Sequence, residues 1–160
     1  MIPEGGQLKG KNMSSYRQIL YHIIFRTKNS NNTLPLNHSE TLFAYIIGII
    51  KKKRCHLYRI NGLENHIHIL SDLHPSIALA DYMRDIKMSS SVWLKKQKEF
   101  KLFDGWASGY ASLTYSYQEK EALINYIKNQ QIHHSKISFE EELRNLLESQ
   151  GIHIDDRFFP

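Results

Sequence analysis

Cysteine is nearly absent, with Cys55 the only one in 160 residues. No disulfide framework can form within the chain, and a reducing, cytoplasmic setting is the expectation. No apolar run approaches the length of a membrane span. The first residues are polar and glycine-rich, so no secretory signal is expected. There is no internal repeat and no low-complexity segment, which excludes solenoid and array architectures. Acid is in short supply relative to base, with 16 acidic against 21 basic residues and a net charge of +5.

What is present is ordinary for a globular domain: 41% hydrophobic and 23% charged residues, in a length that fits one domain with a real core. A basic domain, with a sequence pI near 9.2, suggests a polyanionic partner, because neutralising phosphates releases counterions. The local clusters are Lys51-Lys52-Lys53-Arg54 and Lys95, Lys96, Lys98 and Lys101. Both also suit solvated helix ends, where cations complement the helix dipole.

Met1 to Asn12 lacks periodicity and reads as a flexible leader or expression scar, with Met13 a candidate native start and residues 13–160 one domain. Tyr21 to Lys28 is aromatic and branched, hence a strand. Asn37 and Glu40 suggest a capping box for a helix running to about Arg54. Cys55 to Ile60 reads as a second strand, Asn61-Gly62 as a turn and Glu64 to Asp72 as a third strand. Ser76 is a candidate cap for a helix whose buried stripe is Leu79, Met83, Ile86, Ser90 and Trp93. Tyr110 to Tyr117 reads as a fourth strand. Ser116-x-x-Glu119 opens a helix containing Tyr126 and Gln130, and Ser138-x-x-Glu141 opens a last helix to Gln150, with Gly151 as its C-cap. The order β-α-β-β-α-β predicts an α+β, ferredoxin-like or RRM-like four-stranded antiparallel sheet with helices on one face, plus two C-terminal helices. The open face of such a sheet is a natural nucleic-acid platform, although fold alone does not license that function.

Two stretches carry chemistry. In His66-Ile67-His68, residues two apart on a strand share a face, so both imidazoles project together while Ile67 and Ile69 project into the core. Two neutral imidazoles so placed can bind one divalent metal, and the alternative is a pair of polar residues on a solvated strand face. In Tyr126-Ile127-Lys128-Asn129-Gln130, residues four apart on a helix share a face, so the phenol and the amide point the same way. Tyr126 also fits an ordinary packing stripe with Leu123 and Ile127. Gln130 is the odd member of that stripe, since a buried amide needs a partner, and its oxygen could complete a metal site. His133 or His134 could instead supply a third nitrogen, which would suggest zinc and a hydrolase.

These stretches, in this order, resemble the single-tyrosine HUH transposases of small bacterial insertion sequences. HUH stands for histidine–hydrophobic–histidine, here His66-Ile67-His68, and the family's tyrosine motif is matched by YIKNQQIHH, Tyr126 to His134. HIIFRTK (His22 to Lys28), Ile86-Lys87 to Ser90, GWASGYASLTYS (Gly105 to Ser116) and FEEELRNLLESQGI (Phe139 to Ile152) are similar too. One departure is Asn65, where the family more often has Asp. The resemblance implies a transposase that cleaves and rejoins single-stranded DNA hairpins at transposon ends through a 5′-phosphotyrosine. It implies Tyr126 as nucleophile and Mg²⁺ or Mn²⁺ held by His66, His68 and Gln130. Arg26, Lys28, Lys51, Lys52, Lys53, Arg54 and Lys87 are candidate DNA contacts. It also implies a homodimer whose tyrosine helix can serve the partner's histidines. A physical argument points the same way, because the final helices have limited room on their own sheet. The other readings are a domesticated relative that nicks or binds palindromic DNA, the zinc hydrolase, and an RNA-binding module that would not need Tyr126.

Overall fold

The computed structural model describes residues 16–133, without the His133 side chain, and residues 136–159. The leader expected over residues 1–12, and His133 and His134 as metal ligands, fall outside what is described. The strands are β1 (Tyr21–Arg26), β2 (Leu57–Gly62), β3 (His66–Ser71) and β4 (Ala111–Thr114). The helices are α1 (Ser39–Lys52), α2 (Leu79–Lys95), α3 (Lys120–Lys128), α4 (Gln130–His133) and α5 (Phe139–Ser149). The four strands form one antiparallel sheet in the order β2-β3-β1-β4. The expected ferredoxin-like arrangement holds, and the histidine strand β3 is interior.

Alternation along the two central strands divides the sheet into two faces. Ile23 and Phe25 of β1 join Ile67 and Ile69 of β3 in the main core, with Leu42, Ile46 and Ile50 of α1 and Met83 and Ile86 of α2. Burying each such side chain contributes about 1.5–3 kcal/mol, so this layer is the scaffold. Of the expected α2 stripe, Met83, Ile86 and Ser90 are buried, while Leu79 and Trp93 are partly buried against the same core.

The other face is not open. Leu123 and Ile127 of α3 pack on Leu70, and Phe139 and Leu143 of α5 pack on Ile24. A sheet with one bare face was the expectation. Instead the capping box at Ser116 and Glu119 opens a 3-10 turn, Tyr117–Glu119, that leads into α3, and α3 lies over β2 and β3. The second expected box is half present: the Ser138 hydroxyl accepts from the Glu141 amide, and Gly151 closes α5 with a positive φ of 72°.

Three local expectations fail. Helix α1 begins at Ser39, because a 3-10 turn over Leu36–His38 takes the residues assigned to the cap. Ser76 does not cap α2, which starts at Leu79; its hydroxyl lies 2.7 Å from His74 Nδ1 instead. Asn61 and Gly62 are not the turn but the end of β2, paired with His68 and Ile67. Gly62 is needed there because a Cβ would stand 2.4 Å from the His66 carbonyl oxygen.

Candidate active site

His66 and His68 project from the face opposite Ile67 and Ile69, and both are fully buried. Asn65 Oδ1 lies 2.7 Å from His66 Nδ1. An amide oxygen only accepts, so the His66 proton sits on Nδ1 and its Nε2 lone pair is left toward the cluster. His68 Nδ1 lies 2.8 Å from Nε2 of the buried His22, its diagonal neighbour on β1. Burial, then the neighbouring His68, lowers the His22 pKa to about 3, against the opposing pull of Glu142. His22 is therefore a neutral ring that fixes the orientation of His68.

Glu142 of α5 completes the group. Its Oε1 lies 3.1 Å from His68 Nε2 and 3.9 Å from His66 Nε2. Its Oε2 accepts from Gln130 Nε2 at 3.2 Å. The ligand atoms of His66, His68 and Glu142 all lie within 4.8 Å of one another, so the three could hold one metal ion. Gln130 Oε1 is buried and has no hydrogen-bond partner among the described residues. Two imidazole nitrogens, a carboxylate and an orphaned amide oxygen suit a divalent cation, and the carboxylate moves the set toward hard or borderline ions such as Mg²⁺, Mn²⁺ and Zn²⁺.

Tyr126 stands over this group. Its ring meets His68 and His22 edge-on, with centroids 6.1 Å away in each case. Its phenol lies close enough to Glu142 and Gln130 for both to act on its ionisation. Burial, and then the Glu142 charge, push the phenol well above its ordinary range. Asn61 Nδ2 reaches the carbonyl oxygens of Ile127 and Lys128 at 2.9 and 3.1 Å and fixes the end of the tyrosine helix to the sheet. That helix breaks at Asn129, so Tyr126 and Gln130 lie on consecutive helices rather than one, yet both face Glu142. The expectation that α3 lacks room on its own sheet does not hold, because Tyr126 docks on the histidines of its own chain.

The candidate DNA contacts separate into two groups. Arg26 pairs in register with His66 and so lies beside the site, its Nη1 donating to Ser30 Oγ at 3.1 Å. Lys87 donates to the carbonyls of Ala107 and Gly109 at 2.7 and 2.6 Å. Lys28 lies in the 3-10 turn that follows β1. Lys51, Lys52, Lys53 and Arg54 close α1, in the helix layer behind the sheet, and Lys53 is paired with Asp85.

Sequence reasoning missed His22, Asn61, Phe139 and Glu142. Glu142 carried a signal, as the charged member of an otherwise apolar stripe with Phe139, Leu143 and Leu146. Phe139, one turn earlier, stacks on His66 with ring centroids 3.9 Å apart. His22 shared its strand face with Ile24, but only the β1–β3 register brings it to His68.

A histidine–hydrophobic–histidine strand at the centre of a ferredoxin-like sheet, faced by a tyrosine helix, defines an HUH-type domain. The sequence pattern of the family described as "Transposase IS200 like" matches residues 15–130, and the chain belongs to that family. The match ends before α5, so Phe139 and Glu142 lie beyond it. A crystal structure of a candidate transposase from Deinococcus radiodurans R1 has a similar fold. Its TM-score is 0.56 at 22% identity, over 76% of this chain and 97% of that one. So has a REP-associated tyrosine transposase bound to a REP hairpin, with a TM-score of 0.58 at 16% identity, over 78% of this chain and 76% of that one. No curated protein matches the chain significantly. No helix among the described residues is long and apolar enough to cross a membrane.

Proposed function

We propose that this transposase cleaves and rejoins single-stranded DNA hairpins at the ends of a mobile element, with Tyr126 as nucleophile. The observation that carries this reading is the convergence of His66, His68, Gln130 and Glu142 in one buried group, with the half-buried Tyr126 over it. The hairpin carried by the REP-associated neighbour supports the substrate class. His66, His68 and Glu142, with Gln130 Oε1, would hold a divalent ion, Mg²⁺ or Mn²⁺. Bound there, the ion would supply Lewis-acid stabilisation of charge on the scissile phosphate.

The chain's own residues do the rest. The Tyr126 oxygen attacks phosphorus as its proton passes to Glu142, the carboxylate whose charge acts on the phenol. The bond to the 3′-oxygen breaks and that oxygen takes up the proton, leaving a 5′-phosphotyrosine, a 3′-hydroxyl and Glu142 ionised again. A second 3′-hydroxyl then attacks the phosphotyrosine, returns the phenol and restores a phosphodiester, so no ATP is consumed. His22 and Asn65 hold the two imidazoles in orientation. Both histidines are buried, and the Phe139 ring stacks on His66, so the phosphate reaches them once that ring moves aside while Glu142 stays with the histidines. Two copies acting together would serve the two ends of an element.

Incubation with a single strand copied from the DNA flanking the gene, followed by a denaturing gel, tests the reading. A covalent protein–DNA band is expected with the natural chain. Tyr126→Phe should abolish that band while leaving DNA binding and thermal stability intact. A normal band from this variant would transfer the role to another tyrosine.

A further inference from the structure

Beside the site lies a cavity of about 670 Å³ to which the chemistry above assigns no role. That size falls in the range of roughly 300–1,000 Å³ typical of small-molecule sites. One wall is the β4 edge, residues 108–112; another is Leu143 and Leu147 of α5; Phe158 and Phe159 close the far end. Phe139 lines the cavity and also stacks on His66, so one ring separates the cavity from the histidine pair. Arg26, the register partner of His66, lines it as well.

The wall is built rather than fortuitous. The Ala107 amide donates to the Arg26 carbonyl at 2.9 Å, and Thr27 bridges to Trp106, which extends the β1–β4 pairing up to the cavity. The Lys87 ammonium clamps the carbonyls of Ala107 and Gly109 from beneath. An apolar cavity lined with aromatic rings, with the Arg26 guanidinium on its wall and the Lys87 ammonium bonded to the carbonyl of the lining residue Gly109, matches one kind of occupant. An unstacked nucleobase offers flat apolar faces, and its own backbone phosphate answers the cations.

We infer that this cavity receives one nucleobase of the single-stranded substrate, from a nucleotide adjoining the phosphate that is cleaved. The inference rests on the single-stranded DNA reading above and adds a point of selection. The base is held between the aromatic end and the α5 leucines, and the wall formed by residues 108–112 can read its edge. Seating that base positions the next phosphate toward His66 and His68.

The test uses the full chain and single strands copied from the flanking DNA, each made abasic at one nucleotide near the cleaved phosphate. Binding is read by fluorescence anisotropy and cleavage by the covalent band. One or two adjacent positions should bind about 5- to 150-fold more weakly when abasic, the span of base–aromatic stacking. Leu147→Trp, which fills the cavity, should erase that penalty. Phe158→Ala, at a side chain 80% exposed and so harmless to folding, should reduce it. A penalty unchanged in both variants, or found at no position, overturns the inference. If the band forms and the penalty survives both variants, the base site alone falls. If no band forms but the variants abolish the penalty, the strand-transfer reading alone falls. Absence of binding by every strand overturns both.

Discussion

On the helix face of the sheet, Ile23, Phe25, Ile67 and Ile69 meet two long helices in one continuous apolar core. On the other face, Leu70 with α3 and Ile24 with α5 form two small clusters, each with three buried apolar residues. Between them runs a polar line of His22, His68, His66, Gln130 and Glu142, all buried. The first face is stabilised by area removed from water. The second gives up part of that area to keep hydrogen-bonding groups in contact with one another, which costs stability where any of them lacks a partner. A thick apolar layer on one side and a thin, polar cover on the other would suit a domain that admits a DNA strand, as proposed above. In that cover Phe139 stacks on His66, while Glu142 is held to His68 and Gln130.

Neighbouring residues of β3 put the contrast to its largest test. Ile67→Ala should cost about 2–5 kcal/mol of stability, as large-to-small core changes do, read from urea unfolding. Its folded fraction should still form the covalent DNA band. His68→Ala should do the reverse: the rate of band formation should fall by about 100-fold or more, with a far smaller change in the unfolding midpoint. Equal stability losses in the two variants would erase the distinction between scaffold and site.

Glu142 can act as a ligand or as a removable plug, and the two roles predict opposite outcomes. Glu142→Gln keeps the shape and one acceptor oxygen but loses the charge. As a ligand, its loss should weaken Mn²⁺ binding by about 10-fold or more, measured by titration calorimetry or electron paramagnetic resonance. As a plug only, the variant would bind the ion as before and form the DNA adduct faster. We expect the weaker binding, because the carboxylate already touches His68 and the Gln130 amide.

Most of the sheet side of the site was legible in the sequence. The alternation of His66, Ile67, His68 and Ile69 fixes which groups face which layer, and strand order follows from the element pattern. What was not legible depends on tertiary return. Nothing local places His22 at His68 before the β1–β3 register is known. Asn61-Gly62 reads as a turn because that dipeptide favours one. Yet Gly62 is there for a close backbone approach, and Asn61 for the helix that passes over it. Glu142 lies 74 residues from His68, so no spacing rule connects them. The contrast between faces explains the pattern: apolar periodicity reports the scaffold face, while the site face is assembled from single polar residues on separate elements.

Asn61→Ala removes the side chain that joins the tyrosine helix to β2. Two hydrogen bonds to carbonyls at a helix end contribute about 0.5–1.5 kcal/mol each. A loss of that order in unfolding free energy is expected, with a several-fold slower covalent step because Tyr126 is less firmly seated. An unchanged rate would mean that packing of Leu123 and Ile127 alone positions the phenol.

The smallest effect concerns the residue in which this chain departs from the pattern it resembles. Asn65 accepts from His66 Nδ1–H through a neutral amide oxygen. In Asn65→Asp the same proton would meet a carboxylate, and a charge-assisted hydrogen bond is about twice as strong as a neutral one. More negative charge behind the ring makes the far nitrogen a better donor to a cation, which is how carboxylate partners tune histidine ligands. The proton geometry is unchanged, so neither the fold nor the orientation of His66 should alter. Asn65 Nδ2 makes only a long contact of 3.4 Å to the Ser30 carbonyl, so losing that donor removes little. Mn²⁺ binding should therefore tighten by a few-fold, with His68→Ala in the same background removing the gain. Binding that weakens instead would show that the added charge acts on Arg26, beside His66 on β1, more strongly than on the imidazole, and the polar line would then extend one residue further along that strand.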